Sequence, residues 1–431
     1  MTLLVISPDY ASHLLPLATL ATAWRDRGDD VVVASGPATS SIVSSFGFRW
    51  AELRLGRGSN PGTIRAEEQP AGEDDSLRGF FDATRQGLVE TLAYQASQRT
   101  TDLLWRPVDT ASAVLKVIGE VRPDAVIVDH LAFTARLALQ AAGIQHADVV
   151  LGHPTALPIA EEVYGYPTSW PRAFEPDRDA LERLRHSCEA VRDRFTAQWN
   201  DALRVLNPAA IPTSDAFAEH GDTLLLNYPG QLHDPERTAL LPKHAFLGSA
   251  VRDEPTDPEV DAWLSGGGAP IVYVSFGSFL SVRSDVLSRV AHALRPLDVR
   301  VALAIGSADR RELGELPDTW LVREFLPQVT LLKHSVLAVT HGGNNSVTEA
   351  ATAGVPMLVL PFSTDQFAGA EAIESRGYGL ALAPNTASVD ELRTAVESLL
   401  TATELRDRSR LLGAELRALP GRDRAHEALS S

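Results

Sequence analysis

The chain has 431 residues, of which 44% are hydrophobic and 22% charged. That composition excludes a disordered chain, and the length implies two or three domains. A net charge of −17 excludes a general binder of nucleic-acid backbones, and a single cysteine, Cys188, allows no intramolecular disulfide.

The chain opens on a strand, Leu3–Ser7. No basic segment with an apolar core precedes it, so no secretory signal is expected and a cytoplasmic location is. No uninterrupted apolar run is long enough for a membrane span. Leu14, Leu17, Ala18, Ala21 and Trp24 recur at a helical period over Leu14–Arg27, and Gly28 stops that helix. A β-branched strand, Val31–Ala34, and a helix from Thr39 to Phe46 follow. Gly56–Ser76 is rich in Gly, Pro and acid and has no period, which predicts a mobile surface loop. A second unit is clearer: strand Ala125–Val128, helix Ala132–Ala142 ended by Gly143, strand Gln145–Leu151. Arg178–Leu206 reads as one or two long helices, and Thr223–Leu226 as a short strand.

Gly, Asp, Pro and Thr cluster over Gly248–Pro258 without an apolar pattern, as in a linker. Strands then resume at Ile271–Phe276, Val299–Ala304, Leu321–Arg323, Leu337–Thr340, Met357–Leu360 and Gly379–Leu382. Helices Val389–Leu400, Thr403–Leu419 and Arg422–Leu429 close the chain. Alternating strands and helices predict an α/β fold of two doubly wound parallel-sheet domains facing across a cleft. The expected divisions are 1–247, a linker at 248–258, and 259–431, with the last helices free to cross back to the first domain.

Phe325–Gln366 carries the densest chemistry. Strand Leu337–Thr340 runs into His341-Gly342-Gly343-Asn344-Asn345-Ser346 and then a helix. Glycines there let the backbone approach a ligand, and the helix start turns free N–H groups outward, a site suited to phosphate. His341, Asn345 and Ser346 can add side-chain donors. Glu349 lies one turn on and can accept from a ribose diol. Strand Met357–Leu360 leads to Asp365-Gln366, at the end of a parallel sheet where ligands sit. Phe325 offers a face for a base. Together these describe a sugar nucleotide. Asp177-Arg-Asp179 has the spacing of a metal motif but opens a helix, so it reads as a cap. His334 reads as structural; His130, His146 and His153 read as bland residues near the acceptor side, and Cys188 as inert.

Phe325-Leu-Pro-Gln328, His341-Gly-Gly-Asn-Asn-Ser-Val-Thr-Glu349, Gly354-Val-Pro-Met357 and Asp365-Gln366 resemble the donor signature of family 1 glycosyltransferases. Phe246-Leu-Gly248 and Val274-Ser-Phe-Gly-Ser278 extend the resemblance over nearly the whole chain. It implies the GT-B fold and a donor of the UDP- or dTDP-sugar type. His341 would contact the diphosphate, with Gly343, Asn345, Ser346, Gly277 and Ser278 beside it. Glu349 would hold the ribose, Gln328 would sit near it, and Phe325 would stack on the base. Asp365 and Gln366 would meet sugar hydroxyls. Phe325 stands where the pattern usually has Trp. Ser12-His13-Leu-Leu-Pro16 resembles the family's G-H-x-x-P, with Ser for the Gly. His13 matches its general base and Asp129 the acid that orients that base.

The resemblance implies inverting transfer of a hexose or deoxyhexose to a hydroxyl of a hydrophobic natural-product acceptor, as in antibiotic biosynthesis. No metal and no cofactor beyond the nucleotide sugar are expected, nor any nucleic-acid or membrane partner; the state is monomer or homodimer. Two rivals are a sugar-nucleotide 2-epimerase on the same fold and a non-catalytic auxiliary protein. A nicotinamide dehydrogenase is disfavoured, because Ser7–His13 lacks the glycine fingerprint that should follow the first strand.

Overall fold

The computed structural model describes residues 1–60 and 73–430. Two sheets, both wholly parallel, carry the chain. The first contains β1 (Thr2–Ile6), β2 (Asp30–Ser35), β3 (Arg49–Glu52), β4 (Ala125–Asp129), β5 (Ala147–Val150), β6 (Thr223–Leu226) and β7 (His244–Phe246). Their order is β3-β2-β1-β4-β5-β6-β7. The second contains β8 (Ile271–Ser275), β9 (Arg300–Ala304), β10 (Leu321–Arg323), β11 (Ser335–Thr340), β12 (Met357–Val359) and β13 (Gly379–Ala381), ordered β10-β9-β8-β11-β12-β13. Each sheet starts in its middle, winds to one edge and then crosses back. That winding puts a switch between β1 and β4, and another between β8 and β11. At such a switch the connections diverge and leave a crevice at the carboxyl ends of the strands.

The apolar strands form because both of their faces are covered. Leu3, Val5, Val31, Val33 and Ile127 join one hydrophobic cluster with Leu14, Leu17 and Trp24. The alternate residues Leu4, Ile6, Val32, Val126 and Val128 join another with Val114, Ala135 and Leu139. The second sheet repeats this two-residue alternation: Val272, Val274, Val301, Leu303, Leu337 and Val339 face one cluster, Tyr273, Ala302, Ala338, Met357 and Val359 the other. The expectation of two doubly wound, parallel-sheet α/β units is met.

Several local expectations need correction. The stretch expected to be a mobile loop, Gly56–Ser76, is anchored at its start: Asn60 N–H donates to Asp9 O at 2.8 Å, and Ala11 N–H to Asn60 O at 2.7 Å. Its end is already helical, in Glu73–Gln86. The rest of it, 61–72, lies outside the described residues. Helices Glu73–Gln86, Leu88–Asp102 and Pro107–Val121, and strand β3, had no forecast. The β3 strand is a mostly exposed edge and lacks an apolar run. Arg178–Leu206 is one helix of 29 residues, and Asp177 caps it by accepting from Ala180 N–H.

Two elements leave the neighbours their sequence position would give them. Leu77, Phe80 and Phe81, on Glu73–Gln86, join the core of the second sheet. The last helix, Gly421–Ser430, packs on Ala11–Arg25 beside the first sheet: Ala425 is fully buried there and His426 lies 5.0 Å from the Trp24 ring. Among the described residues, no helix is long and apolar enough to cross a membrane.

Candidate active site

The ends of β1 and β4 bring His13 to Asp129. His13 lies in the first turn of Ala11–Arg25, and its Nδ1–H donates to Asp129 Oδ2 at 2.7 Å. Asp129 is fully buried, and its second oxygen accepts from Leu131 N–H at 2.9 Å. The carboxylate is therefore fixed, and it fixes the imidazole. The His13 side chain is 26% exposed and lines the cleft, which leaves Nε2 for a ligand. Burial opposes a charge on His13, but the attraction and hydrogen bond of Asp129, with a smaller pull from Asp365, prevail and raise its pKa above the ordinary histidine value. Asp129 is lowered: burial works against its charge, and His13, with smaller help from His130 and the Leu131 N–H, outweighs burial.

The second half of the site comes from the ends of β8 and β11. The strand stops at Thr340, His341 follows, and the helix Asn344–Ala353 begins without a side-chain cap on Gly343. Its first N–H groups are thus left for a ligand. The His341 ring fits between two glycines. A Cβ on Gly277 would come to 3.0 Å of its Cε1, and one on Gly343 would collide with Nε2. Burial pushes the His341 pKa down to about 4, so near neutral pH the ring is an uncharged hydrogen-bonding group. Ser346 lines the cleft as well. Asn345 reaches across, its Nδ2 donating to Ser12 O at 3.1 Å. Asn344, which the motif alone did not single out, donates to Leu151 O at 2.7 Å and Asn227 O at 2.9 Å on the opposite side. Ser278 lies in the short helix Gly277–Leu280, and its side chain is outside the described residues.

The residues around Glu349, expected to meet a ribose, form a chain that includes a member not foreseen. Glu349 is buried; its Oε1 accepts from Arg252 Nη1 at 2.8 Å and its Oε2 from Gln328 Nε2 at 2.6 Å. Tyr273 O–H donates to Gln328 Oε1 at 3.2 Å. Arg252 also donates to Glu254 at 3.0 Å. Burial raises the Glu349 pKa, and Arg252 only partly offsets it. A lone arginine in a stretch of linker composition carries no sequence signal for this role. Phe325 is 50% exposed and lines the same cleft, leaving a face for stacking.

Asp365 and Gln366 differ from each other. Asp365 Oδ2 accepts from the backbone N–H of His153 at 2.5 Å, across the cleft, and Oδ1 from Thr364 O–H at 3.0 Å. Gln366 was expected to meet sugar hydroxyls, yet both ends of its side chain serve its own loop. Its Oε1 accepts from Phe362 and Ser363 N–H, and its Nε2 donates to Ser363 Oγ. A short turn after a strand must satisfy its backbone donors, and Gln366 does that. Of the bland histidines, His130 lines the cleft; burial lowers its pKa to about 4. Cys188 is buried and its thiol is pushed up to about 11, consistent with an inert residue. The whole cleft holds about 900 Å³. Among the described residues, no three His, Cys, Asp or Glu side chains converge as metal ligands.

His13, held by Asp129, thus stands on one wall of the cleft, and an uncapped helix N-terminus on the other. The model of the family described as UDP-glucoronosyl and UDP-glucosyl transferase matches residues 191–411, just over half of the chain, and the chain belongs to that family. It is similar to the elloramycin glycosyltransferase ElmGT of Streptomyces olivaceus, 27% identical over 426 residues, with 97% of this chain and 94% of that protein covered. It is also similar to an uncharacterized UDP-glucosyltransferase, YojK, of Bacillus subtilis, 24% identical over 222 residues, covering 50% of this chain and 53% of that one. The chain spans about half the length of YojK and of several other curated relatives it matches. Among solved structures, the spinosyn rhamnosyltransferase SpnG complexed with spinosyn aglycone covers all of both chains at a TM-score of 0.69 and 20% identity, a likeness of fold.

Proposed function

We propose that this chain is an inverting, metal-independent glycosyltransferase. It moves a hexose or deoxyhexose from a UDP- or dTDP-sugar to a hydroxyl of a hydrophobic small-molecule acceptor of the natural-product kind. The observation that carries the reading is His13, held by Asp129 at 2.7 Å and lining the same cleft as the uncapped helix behind His341. Residues 1–247 supply the acceptor side and 259–431 the donor side, joined by 248–258. The nucleotide sugar is a co-substrate, no further cofactor is needed, and the enzyme works in the cytoplasm as a monomer or homodimer.

In this reading His13 Nε2 takes the proton of the acceptor hydroxyl as its oxygen attacks the anomeric carbon. The bond from that carbon to the diphosphate breaks, and its electron pair leaves with the diphosphate oxygen. Asp129 steadies the imidazolium that forms. The N-terminus of Asn344–Ala353 and His341 receive the growing negative charge without reorganising, which is the larger share of such catalysis. The imidazolium then returns its proton to solvent.

The test is transfer from UDP-glucose and dTDP-sugars to a panel of phenolic aglycones, read by mass spectrometry, with the anomeric configuration of the product read by NMR. An α-linked donor should give a β-linked product, in the presence of EDTA as well as its absence. His13→Ala should lose about 10²–10⁴ in rate while UDP affinity holds. A retained configuration, or wild-type turnover by the variant on an unactivated hydroxyl, would contradict the assignment.

A further inference from the structure

The cleft wall on the His13 side is aromatic, and one cation is set into it. Tyr164 stacks on Phe217 with ring centroids 3.9 Å apart and planes 8° apart, and Phe217 stacks on Phe195 at 4.1 Å. Phe217 covers one face of Tyr164. The Arg99 guanidinium lies 4.9 Å from the centre of that ring, over the face that remains. Gly165, at φ +84°, makes this possible: a Cβ there would collide with Arg99 Nη1. Arg99, Tyr164, Tyr166, Phe80 and Gln95 all line the cleft.

Arg99 is half-buried, yet among the described residues it makes no ion pair. Arg136, Arg252 and Arg283, also drawn inward, each meet a carboxylate. A ring satisfies the face of a guanidinium but not its edge. The in-plane N–H groups keep the fork geometry that binds a carboxylate through two bonds. The protein carries a net charge of −17, which repels anions in general, so Arg99, the one cation of this wall among the described residues, has a selective effect.

We propose that Arg99 recognises an acidic substituent of the acceptor. The acceptor class is a planar aromatic hydroxyl compound bearing a carboxylate, its rings packed among Tyr164, Tyr166 and Phe80 and its carboxylate on the Arg99 fork. This rests on the reading in which the His13 side of the cleft receives the acceptor, and it names the acceptor's chemistry.

The probes are hydroxynaphthoic acid and the matching hydroxynaphthamide, which differ in charge and hardly in shape. Their dissociation constants are measured by fluorescence titration of UDP-saturated protein, without turnover. The acid should bind about tenfold or more tighter than the amide, as charge-assisted hydrogen bonds do. Arg99→Met should erase that difference and leave amide binding intact; Arg99→Lys should keep part of it. Unchanged UDP affinity in both variants shows that they are folded. Equal affinities for acid and amide in the wild type, equal weakening of both by Arg99→Met, or binding of neither probe would overturn the proposal. An acid preference that stands while no donor yields transfer supports the Arg99 site and counts against the transferase reading alone.

Discussion

In the proposed mechanism His13 sets the pH response of the site. A general base acts only when unprotonated, and Asp129 raises the pKa of His13 above its ordinary value of 6.5 despite burial. Activity is therefore present above that raised pKa and lost as pH falls through it, so the acid limb of kcat/KM should lie above pH 6.5. Asp129→Asn removes the attraction that raises the pKa. Burial then dominates, the acid limb should move to lower pH, and the plateau rate should drop by about 10²–10⁴, because nothing stabilises the imidazolium. A pH–rate profile of the two proteins checks both parts. An acid limb that stays put in the variant would show that Asp129 is only a strand-end residue tied to Leu131.

At the scale of elements, the segment between β7 and the helix Pro258–Ser265 has linker composition, but it is held in place. Ala250 N–H donates to Asn227 at 2.8 Å, Ser249 to Thr348 at 3.1 Å, and Arg252 lies between Glu254 and Glu349. Two buried carboxylates share that one guanidinium. Removing it by Arg252→Met leaves Glu349 facing Glu254, with Gln328 and Tyr273 as the remaining polar neighbours, and its pKa, already raised by burial, rises further. A protonated Glu349 accepts fewer hydrogen bonds from a diol. The donor KM should rise about 10–100-fold, the equivalent of one charge-assisted bond, with kcat within a few-fold. The defect should deepen as pH falls from neutral and be partly relieved in Arg252→Lys. A fall in kcat with donor KM unchanged would mean that Arg252 serves the fold and not the donor.

The same scale shows what the sequence could and could not disclose. His13, Gly277 and His341 follow strands and Asp129 ends one, on either side of a switch; the loop of His341 could be read from its own residues, whereas His13, Asp129 and Gly277 were singled out by the family motif. Arg252, Arg99 and Asn344 gave no such signal, because their partners are distant in sequence: Arg252 meets Glu349, Arg99 meets Tyr164, Asn344 meets Leu151. Gln366 was legible as polar at a strand end, but its engagement with Phe362 and Ser363 depends on the turn's own unsatisfied donors. The helices from Glu73 to Val121 were missed for a related reason. Leu77, Phe80 and Phe81 are apolar for the sake of the second sheet's core, which begins nearly two hundred residues later.

At the scale of the molecule, the last helix makes the two sheets depend on each other. Gly421–Ser430 belongs to the second sheet's half by sequence, yet Arg422 pairs with Asp26 at 2.7 Å, Asp423 with Arg27 at 3.2 Å, and Ala425 is buried against the helix that carries His13. Glu73–Gln86 does the reverse, and Thr84 O accepts from Arg283 Nη1 at 3.0 Å and Asn385 Nδ2 at 2.9 Å. Each sheet thus carries a helix supplied by the other half of the chain. Binding at the donor side should therefore stabilise the whole: UDP at about 100 times its Kd adds about 2.7 kcal/mol to whatever unfolds as one unit. In the wild type, calorimetry should show one transition that moves up with UDP. Ala425→Asp puts an unpaired charge into the interface at a cost of about 3–5 kcal/mol. It should release a lower transition, from the first-sheet half, that UDP no longer shifts, while the upper transition still responds. UDP affinity at low temperature should be unchanged, since Ala425 is buried in the first-sheet core and does not line the cleft. A variant that still melts in one UDP-responsive step would show that the contacts through Glu73–Gln86 and Asn344 join the halves without help from the last helix.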